Sequence, residues 1–284
     1  MMAPVDPETF RAESRDRWER AAEGWAATRD AFQRAAAGVS AWLVDAVDPQ
    51  PGQTVLELAA GLGDTGLEAA ERVGPQGKVI ITDGAEAMVE AARARAEAIG
   101  ARNVEARAME AEWIDLSAAS VDGVVCRWGY MLLADPEAAL RETRRVLRPG
   151  GRLALAVWDA PDRNPWLSVT GREAVRAGLW EVDPDQPGPF TLADRDRLED
   201  LLATAGFGDV EIDALDLTFE AGSVDVWWDH TLRTSTWLTD ALARLSPAEH
   251  YAFREAFDAA YAPWVQPGGA VRLPGRTLVA AASA

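Results

Sequence analysis

The sequence holds a single cysteine, Cys126, in 284 residues, which excludes an intramolecular disulfide and any thiolate metal cluster. Histidine is almost as scarce. Only His230 and His250 occur, at a spacing that does not suggest a shared metal site, so no metal is predicted. Lysine appears once, as Lys78, and the remaining basic residues are all arginine. No apolar run approaches the roughly 18 residues that a membrane helix needs. The opening Met1-Met2-Ala3-Pro4-Val5-Asp6-Pro7 also lacks an apolar core, which predicts a cytoplasmic protein. Positive charge is in deficit: 46 acidic against 28 basic residues give a formal net charge of −18. Such a chain repels phosphate backbones and anionic lipid headgroups, so neither nucleic acid nor membrane is an expected partner.

Against these absences stands Thr54-Val55-Leu56-Glu57-Leu58-Ala59-Ala60-Gly61-Leu62-Gly63-Asp64-Thr65-Gly66, a short apolar strand running into a glycine-rich turn. Glycine accepts positive φ and has no Cβ, so the backbone of such a turn can approach a ligand closely. The helix that follows turns unpaired N–H groups and the positive end of its dipole into the same crevice. Gly61-x-Gly63-x-x-Gly66 matches both the dinucleotide fingerprint and the nucleoside-binding turn of S-adenosylmethionine enzymes.

Residues 8 to 47 have helical character, with Trp18, Trp25, Phe32 and Val39 recurring every seven residues, and Gly24 and Gly38 predict a break into two or three helices. Such an arm serves either as a lid over a small-molecule pocket or as a stripe packed on the domain. After the turn Asp48-Pro49-Gln50-Pro51-Gly52, strands at Thr54–Leu58, Lys78–Thr82, Asn103–Arg107, Gly123–Cys126 and Arg152–Trp158 alternate with helices. The helix from about Ala85 to Ile99 carries Met88, Ala91, Ala92 and Ile99 inward, and Asp135-Pro136 opens the one before Pro149-Gly150-Gly151. The pattern predicts an α/β, Rossmann-like, seven-stranded, mostly parallel sheet with helices on both faces, whose ligands bind beyond the carboxyl ends of the strands. Glu57 through Gly66, Asp83, Glu110 and Cys126 through Tyr130 all fall there and form one site.

Beyond Trp158, Pro161, Pro165, Pro184, Pro187 and Pro189 mark irregular connections, and Thr191-x-x-Asp194 caps a helix. A sixth strand runs through Val210, Ile212, Leu215, Leu217 and Phe219, with an irregularity at Asp213-Ala214. Residues 223 to 264 read as an inserted helical cap, one helix opening at Ser246-Pro247-x-Glu249, before a last strand at Arg276–Ala280. The predicted organisation is an N-terminal helical arm or lid over 1–48 and a domain over 49–284 that contains the cap. An insertion of this kind commonly supplies substrate walls.

Residues 50 to 160 resemble the class I S-adenosylmethionine-dependent methyltransferases, in the small-molecule branch that includes the ubiquinone and menaquinone biosynthesis enzymes. The carrying residues are Val55 through Gly66, Asp83 at the end of the second strand, and Arg145-Val146-Leu147-Arg148-Pro149-Gly150-Gly151. The resemblance implies S-adenosylmethionine as cofactor. Asp83 would accept the ribose hydroxyls, with Gly84 and Met88 beside it. Glu110 stands where the family usually has an aspartate accepting from the adenine amino group, and Ala111 would offer a backbone N–H to the ring. Leu62 and Met109 would sandwich the adenine. Ala59, Gly61 and Gly63 would admit the methionyl portion, with Glu57 near its amino group and Asp64 and Thr65 as further polar contacts. Cys126, Arg127 and Trp128 would face the ammonium or the reacting methyl. Leu62 replaces the proline of many relatives.

The opposing class is a nicotinamide oxidoreductase. Its short-chain form needs a Tyr-x-x-x-Lys pair, and Gly74 stands four residues before Lys78, which excludes that form. A nucleoside-binding protein without catalysis is the third reading. For methyl transfer a base is needed only if the acceptor starts as a hydroxyl, an ammonium or a carbon acid, and His230, in Trp227-Trp228-Asp229-His230, is the candidate. Twelve tryptophans are many for this length, and at least half are expected in the core. Trp18, Trp25, Trp128, Tyr130, Trp158, Trp166, Trp227 and His230 are the candidate walls for a small, apolar or aromatic acceptor, and Arg127 or Arg233 would meet an acidic group on it. A homodimer is compatible with this reading.

Overall fold

The computed structural model describes residues 6–181, 183 and 186–284; Met1–Val5, and Pro184 of the expected irregular connections, lie outside them. In chain order the elements are α1 (Pro7–Val47), β1 (Thr54–Glu57), α2 (Asp64–Val73), β2 (Lys78–Asp83), α3 (Glu86–Ala98), β3 (Val104–Ala108) and β4 (Val121–Arg127). Then come α4 (Pro136–Val146), β5 (Leu147–Trp158), α5 (Pro165–Arg176), α6 (Arg195–Thr204), β6 (Gly208–Ala221), α7 (Val224–Thr234), α8 (Thr236–Leu242), α9 (Pro247–Tyr261) and β7 (Val271–Ser283). The strands form one seven-stranded sheet in the order β3-β2-β1-β4-β5-β7-β6. Every pairing from β3 through β5 is parallel, and β7 alone runs antiparallel to its neighbours β5 and β6. The inner strands read as continuous apolar runs because both of their faces are covered.

Asp6 opens α1: its carboxylate accepts from the Thr9 N–H at 3.0 Å, and Pro7 occupies the first turn. The helix then runs unbroken for 41 residues, roughly 60 Å at about 1.5 Å per residue, where two or three helices were expected. Gly24 does not break it because its missing side chain has a packing purpose. A Cβ there would stand 1.8 Å from the Arg233 carbonyl oxygen, so α1 and α7 cross backbone to backbone at this point. Gly38 has nothing within 4 Å of its missing Cβ. Two helical glycines cost about 1 kcal/mol each, and the burial of Ala36, Val39, Leu43, Val44 and Val47 in the main core outweighs that. The end of α1 lies directly on the sheet, since a Cβ on Gly123 of β4 would come within 2.3 Å of Val47 Cγ1.

Local signals hold elsewhere with small changes. Ser246 and Glu249 form a complete capping box at α9, whose Phe253, Phe257 and Tyr261 are buried. At α6 the cap is Asp194 alone, accepting from Asp196 N and Arg197 N, while Thr191 Oγ1 accepts from Gly188 N. The irregularity in β6 falls between Gly208 and Glu211 rather than at Asp213-Ala214, because Asp209 takes φ +48°. Ile99, expected to point inward, is 63% exposed just beyond α3. Among the described residues no helix is long and apolar enough to cross a membrane, and no group of His, Cys, Asp or Glu side chains could hold a metal ion.

Candidate functional site

The chain leaves β1 through a turn in which Ala59, Gly61 and Gly63 all take positive φ, at +47°, +54° and +73°. Three hydrogen bonds pin that turn: Ala60 N to Thr82 O at 2.9 Å, Gly63 N to Ala60 O at 2.9 Å, and Gly61 N to Asp83 Oδ2 at 2.8 Å. Asp83 also accepts from Ala85 N through Oδ1 at 3.0 Å, so one carboxylate ties the turn to the start of α3. Burial pushes this carboxyl up, opposed by the N–H groups of Ala85 and Gly61. Each oxygen retains acceptor capacity, and Asp83 borders the cavity described below.

Glu57 supports the turn from behind. Its Oε2 accepts from Gly66 N at 2.9 Å, and a Cβ on Gly66 would sit 2.4 Å from that oxygen, so the third glycine exists to admit the carboxylate. Burial raises Glu57 to about 8, with Arg127 pulling it down. Asp64 lies at the start of α2, where Arg29 and Arg95 reach it at 2.6 and 2.7 Å and Arg127 at 3.6 Å. Arg127 also donates to Gln33 Oε1 and Ser40 Oγ of α1. Three guanidinium groups converge on this one buried carboxylate beside the N-terminus of α2, with Arg29 also paired to Asp30 at 2.7 Å, and the donors of Arg29 and Arg127 border the cavity, where they suit an anionic group.

A cavity of about 190 Å³ opens between the glycine turn, the ends of β2 and β4, and the N-terminal half of α1. At one end Leu62, Ala85 and Met88 pack with Ala22, Trp18 and Trp25 of the arm. At the other, Trp128 stands at φ +62°, donates from Nε1 to Thr277 Oγ1 at 2.9 Å, and stacks on Trp158 with ring centroids 4.1 Å apart. Phe32 joins the two ends, 5.0 Å from Trp25 and 5.4 Å from Trp128. Charged contacts close the arm over the rim: Arg11 pairs with Glu112, Arg15 with Glu110 at 2.7 Å, and Glu19 accepts from Glu86 N and Ala87 N of α3 at 2.5 and 2.9 Å.

The cavity brings together Ala59, Gly61, Leu62, Asp64, Asp83, Gly84, Met88, Glu110, Arg127 and Trp128 of the expected cofactor residues, and Trp18, Trp25 and again Trp128 of the expected acceptor walls. Glu57, Gly63, Thr65, Met109, Ala111 and Cys126 lie outside its lining; Thr65 bonds Ser40, and burial raises the Cys126 thiol to about 12. Tyr130 is buried on Thr143, Trp158 lies behind Trp128, Trp166 stacks on Phe219, and Trp227 packs beside Tyr261. His230 is not brought to the cavity either. It sits on α7, which packs on α1, and burial lowers its pKa. No residue of the cap is among the lining; the cap braces the arm, as where Arg20 binds Asp240 at 2.9 Å. Arg233 turns to Asp229 at 2.6 Å. Unforeseen were Phe10, Arg11, Ser14, Arg15 and Arg29, the arm's own contribution to the lining. The signal for them was a charged series at four-residue spacing, Arg11, Arg15 and Glu19.

An acid at the end of β2, a turn of positive φ against it and a helix N-terminus beyond are the parts of a nucleoside cradle, and comparison with known proteins identifies which. The chain belongs to the class I S-adenosylmethionine-dependent methyltransferases, whose cofactor is S-adenosylmethionine. Residues 55–151 match a family model described as a methyltransferase domain. The chain is similar to the aklanonic acid methyltransferase DauC of Streptomyces sp. (strain C5), 35% identical over 169 residues that cover 57% of this chain and 76% of that protein. It is also similar to the ubiquinone/menaquinone biosynthesis C-methyltransferase UbiE of Escherichia coli O1:K1 / APEC, 35% identical over 123 residues, 43% of this chain and 49% of that one. The chain spans half or less of the length of several curated relatives that it matches. The solved structure of YcgJ from Bacillus subtilis shares the fold, with a TM-score of 0.59 at 18% identity, covering 86% of this chain and 97% of that one.

Proposed function

We propose that this protein moves the methyl group of S-adenosylmethionine to a small, apolar or aromatic organic acceptor held between the glycine turn and the arm. The observation that carries this reading is the cavity itself, in which Gly61 and Asp83 share one enclosure with Trp18, Trp25, Phe32 and Trp128. The residues fit the cofactor. A Cβ on Gly61, a cavity-lining residue at positive φ, would meet no protein atom within 4 Å, so its place is open to a ligand. Asp83 offers two acceptors to a vicinal diol, Leu62 and Met88 offer apolar faces to the base, and Arg29 and Arg127 offer positive charge to a carboxylate. The cofactor supplies an electrophilic methyl on a sulfonium. The protein's own part is orientation at near-attack distance and exclusion of water. Aromatic faces suit both an apolar acceptor and a cationic donor.

No histidine borders the cavity among the described residues, and Asp64 and Glu112 there are held by arginines. The reading therefore favours an acceptor that is nucleophilic without a strong protein base, such as a carbon acid or phenol ionised near neutral pH. DauC and UbiE carry small-molecule names, and the charge of −18 argues against a nucleic-acid acceptor.

Calorimetry with S-adenosylmethionine, S-adenosylhomocysteine and a nicotinamide dinucleotide tests the reading, with Asp83→Ala in parallel. The expected result is micromolar affinity for the S-adenosyl ligands, weakened at least about tenfold in the variant. Binding of the dinucleotide in their place overturns the reading, and S-adenosyl binding without turnover of any phenol or carbon acid leaves the non-catalytic alternative.

A further inference from the structure

Glu110 lines the cavity next to Gly84 and Asp83, held there because Met109 N extends the strand pairing to Asp83 O at 2.9 Å. A glutamate has one more rotatable bond than an aspartate, so the backbone alone does not decide where its carboxylate points. In this molecule a side chain from the arm decides it. Arg15 Nη2 and Nε both donate to Glu110 Oε1, at 2.7 and 3.2 Å, and among the described residues Oε2 holds no protein hydrogen bond. Oε2 lies 3.1 Å from the position a Cβ on Gly84 would occupy, so Gly84 leaves room for it at the cavity wall.

We propose that Arg15 is a positioning residue for recognition of the nucleoside base: by holding Oε1 of Glu110 it presents Oε2 to an exocyclic amino group. The proposal rests on the S-adenosyl reading above. The pair is half exposed, 50% for Arg15 and 31% for Glu110, and an exposed ion pair contributes little to stability. Its consequence is directional. Arg15 stands in the ridge Arg11, Arg15, Glu19, whose outer members fasten the arm to Glu112 and to the start of α3. Of the three, Arg15 is the one that touches the carboxylate facing the base, so orientation of the acceptor oxygen is separable from fastening of the arm.

The test compares binding of S-adenosylhomocysteine with that of S-inosylhomocysteine, in which a carbonyl oxygen replaces the amino group. The wild-type protein is expected to prefer the adenosyl ligand by roughly 10- to 100-fold, the range for a hydrogen bond to a charged group. In Arg15→Ala that preference falls at least fivefold, because the adenosyl ligand weakens and the inosyl ligand does not; Arg15→Lys restores most of it. Glu19→Gln loosens the arm without touching Glu110, so it weakens both ligands equally and leaves the preference intact. If Arg15→Ala also weakens both ligands equally, Arg15 is a tether only and the proposal is overturned. If wild-type protein binds neither ligand, the cofactor reading falls and the proposal with it.

Discussion

The two halves of α1 are held by different physics although they are one helix. From Ala36 to Val47 the contact is mainly apolar burial, with Ala36, Val39, Leu43 and Val44 essentially inaccessible in the main core and the buried Ser40 bonded to Thr65 and Arg127. From Pro7 to Trp25 the buried residues are Phe10, Ala21 and Ala22; a small apolar cluster of Trp18, Ala22 and Trp25 on Leu62, Ala85 and Met88 is joined by the charged contacts of Arg11, Arg15, Glu19 and Arg20. The first kind of contact stabilises in proportion to area and is little affected by salt, while a half-exposed pair such as Arg15–Glu110 is directional, screened and weak. One half is therefore foundation and the other is roof, and the roof lies over the cavity.

The largest expected effect comes from breaking the foundation. Leu43→Ala leaves a void in the main core and is expected to cost about 2–5 kcal/mol in denaturant unfolding, whereas Arg15→Ala is expected to cost less than about 1 kcal/mol. Equal costs would erase the contrast. Next is the crossing of α1 and α7. Gly24→Ala places a methyl 1.8 Å from a backbone oxygen, which no rotamer change relieves. A loss of about 1–3 kcal/mol is expected, with faster amide exchange in α7.

Glu57 gives the contrast a pH dependence. Its carboxyl is raised from 4.5 to about 8 by burial, so between those values the folded chain keeps a proton that the unfolded chain has released. Stability from this group is fully present below about 4.5 and is lost as pH rises through about 8. Glu57→Gln retains an acceptor for Gly66 N without the titration. Relative to wild type it is expected to gain on the order of 4 kcal/mol between pH 5 and pH 8.5, read as thermal midpoints at each pH. Because Arg127 beside Glu57 is tied to Gln33 and Ser40, the loss in wild type should appear in amide exchange of residues 36–47 before it appears in 7–22.

How much of this was legible in the sequence depends on how far each cause reaches. The turn Gly61-x-Gly63-x-x-Gly66, the acid Asp83 and the alternation of strands and helices are local patterns, and they led to the sheet and to the cofactor class. The continuity of α1 was not legible, because the reason for Gly24 is the backbone of Arg233, a partner that only the tertiary fold supplies. The seven-residue spacing of Trp18, Trp25, Phe32 and Val39 correctly marked one face, but periodicity does not say what a face meets. It meets the cavity at Trp18, Trp25 and Phe32 and the core at Val39. His230 was singled out for its chemistry, and the packing of α7 on α1 removed it from the site. Glu57 was visible as an acid at a strand end. That Gly66 opens a place for its carboxylate behind the turn follows from the tertiary fold, which sets β1 against the start of α2.

The smallest effect sharpens the comparison most, because it should touch one half of α1 only. Raising salt from about 0.05 to about 0.5 M shortens the Debye length severalfold and screens half-exposed pairs such as Arg15–Glu110, while apolar burial is left alone. Each such pair contributes at most about 1 kcal/mol, so amide exchange in residues 7–22 is expected to quicken roughly two- to fivefold with salt, and exchange in residues 36–47 to stay the same. Saturating S-adenosylhomocysteine should abolish that salt response, since a ligand beneath the roof adds contacts that opening must break. Equal acceleration in both halves would mean that α1 moves as one rigid body, and the cofactor would then need another way into the cavity.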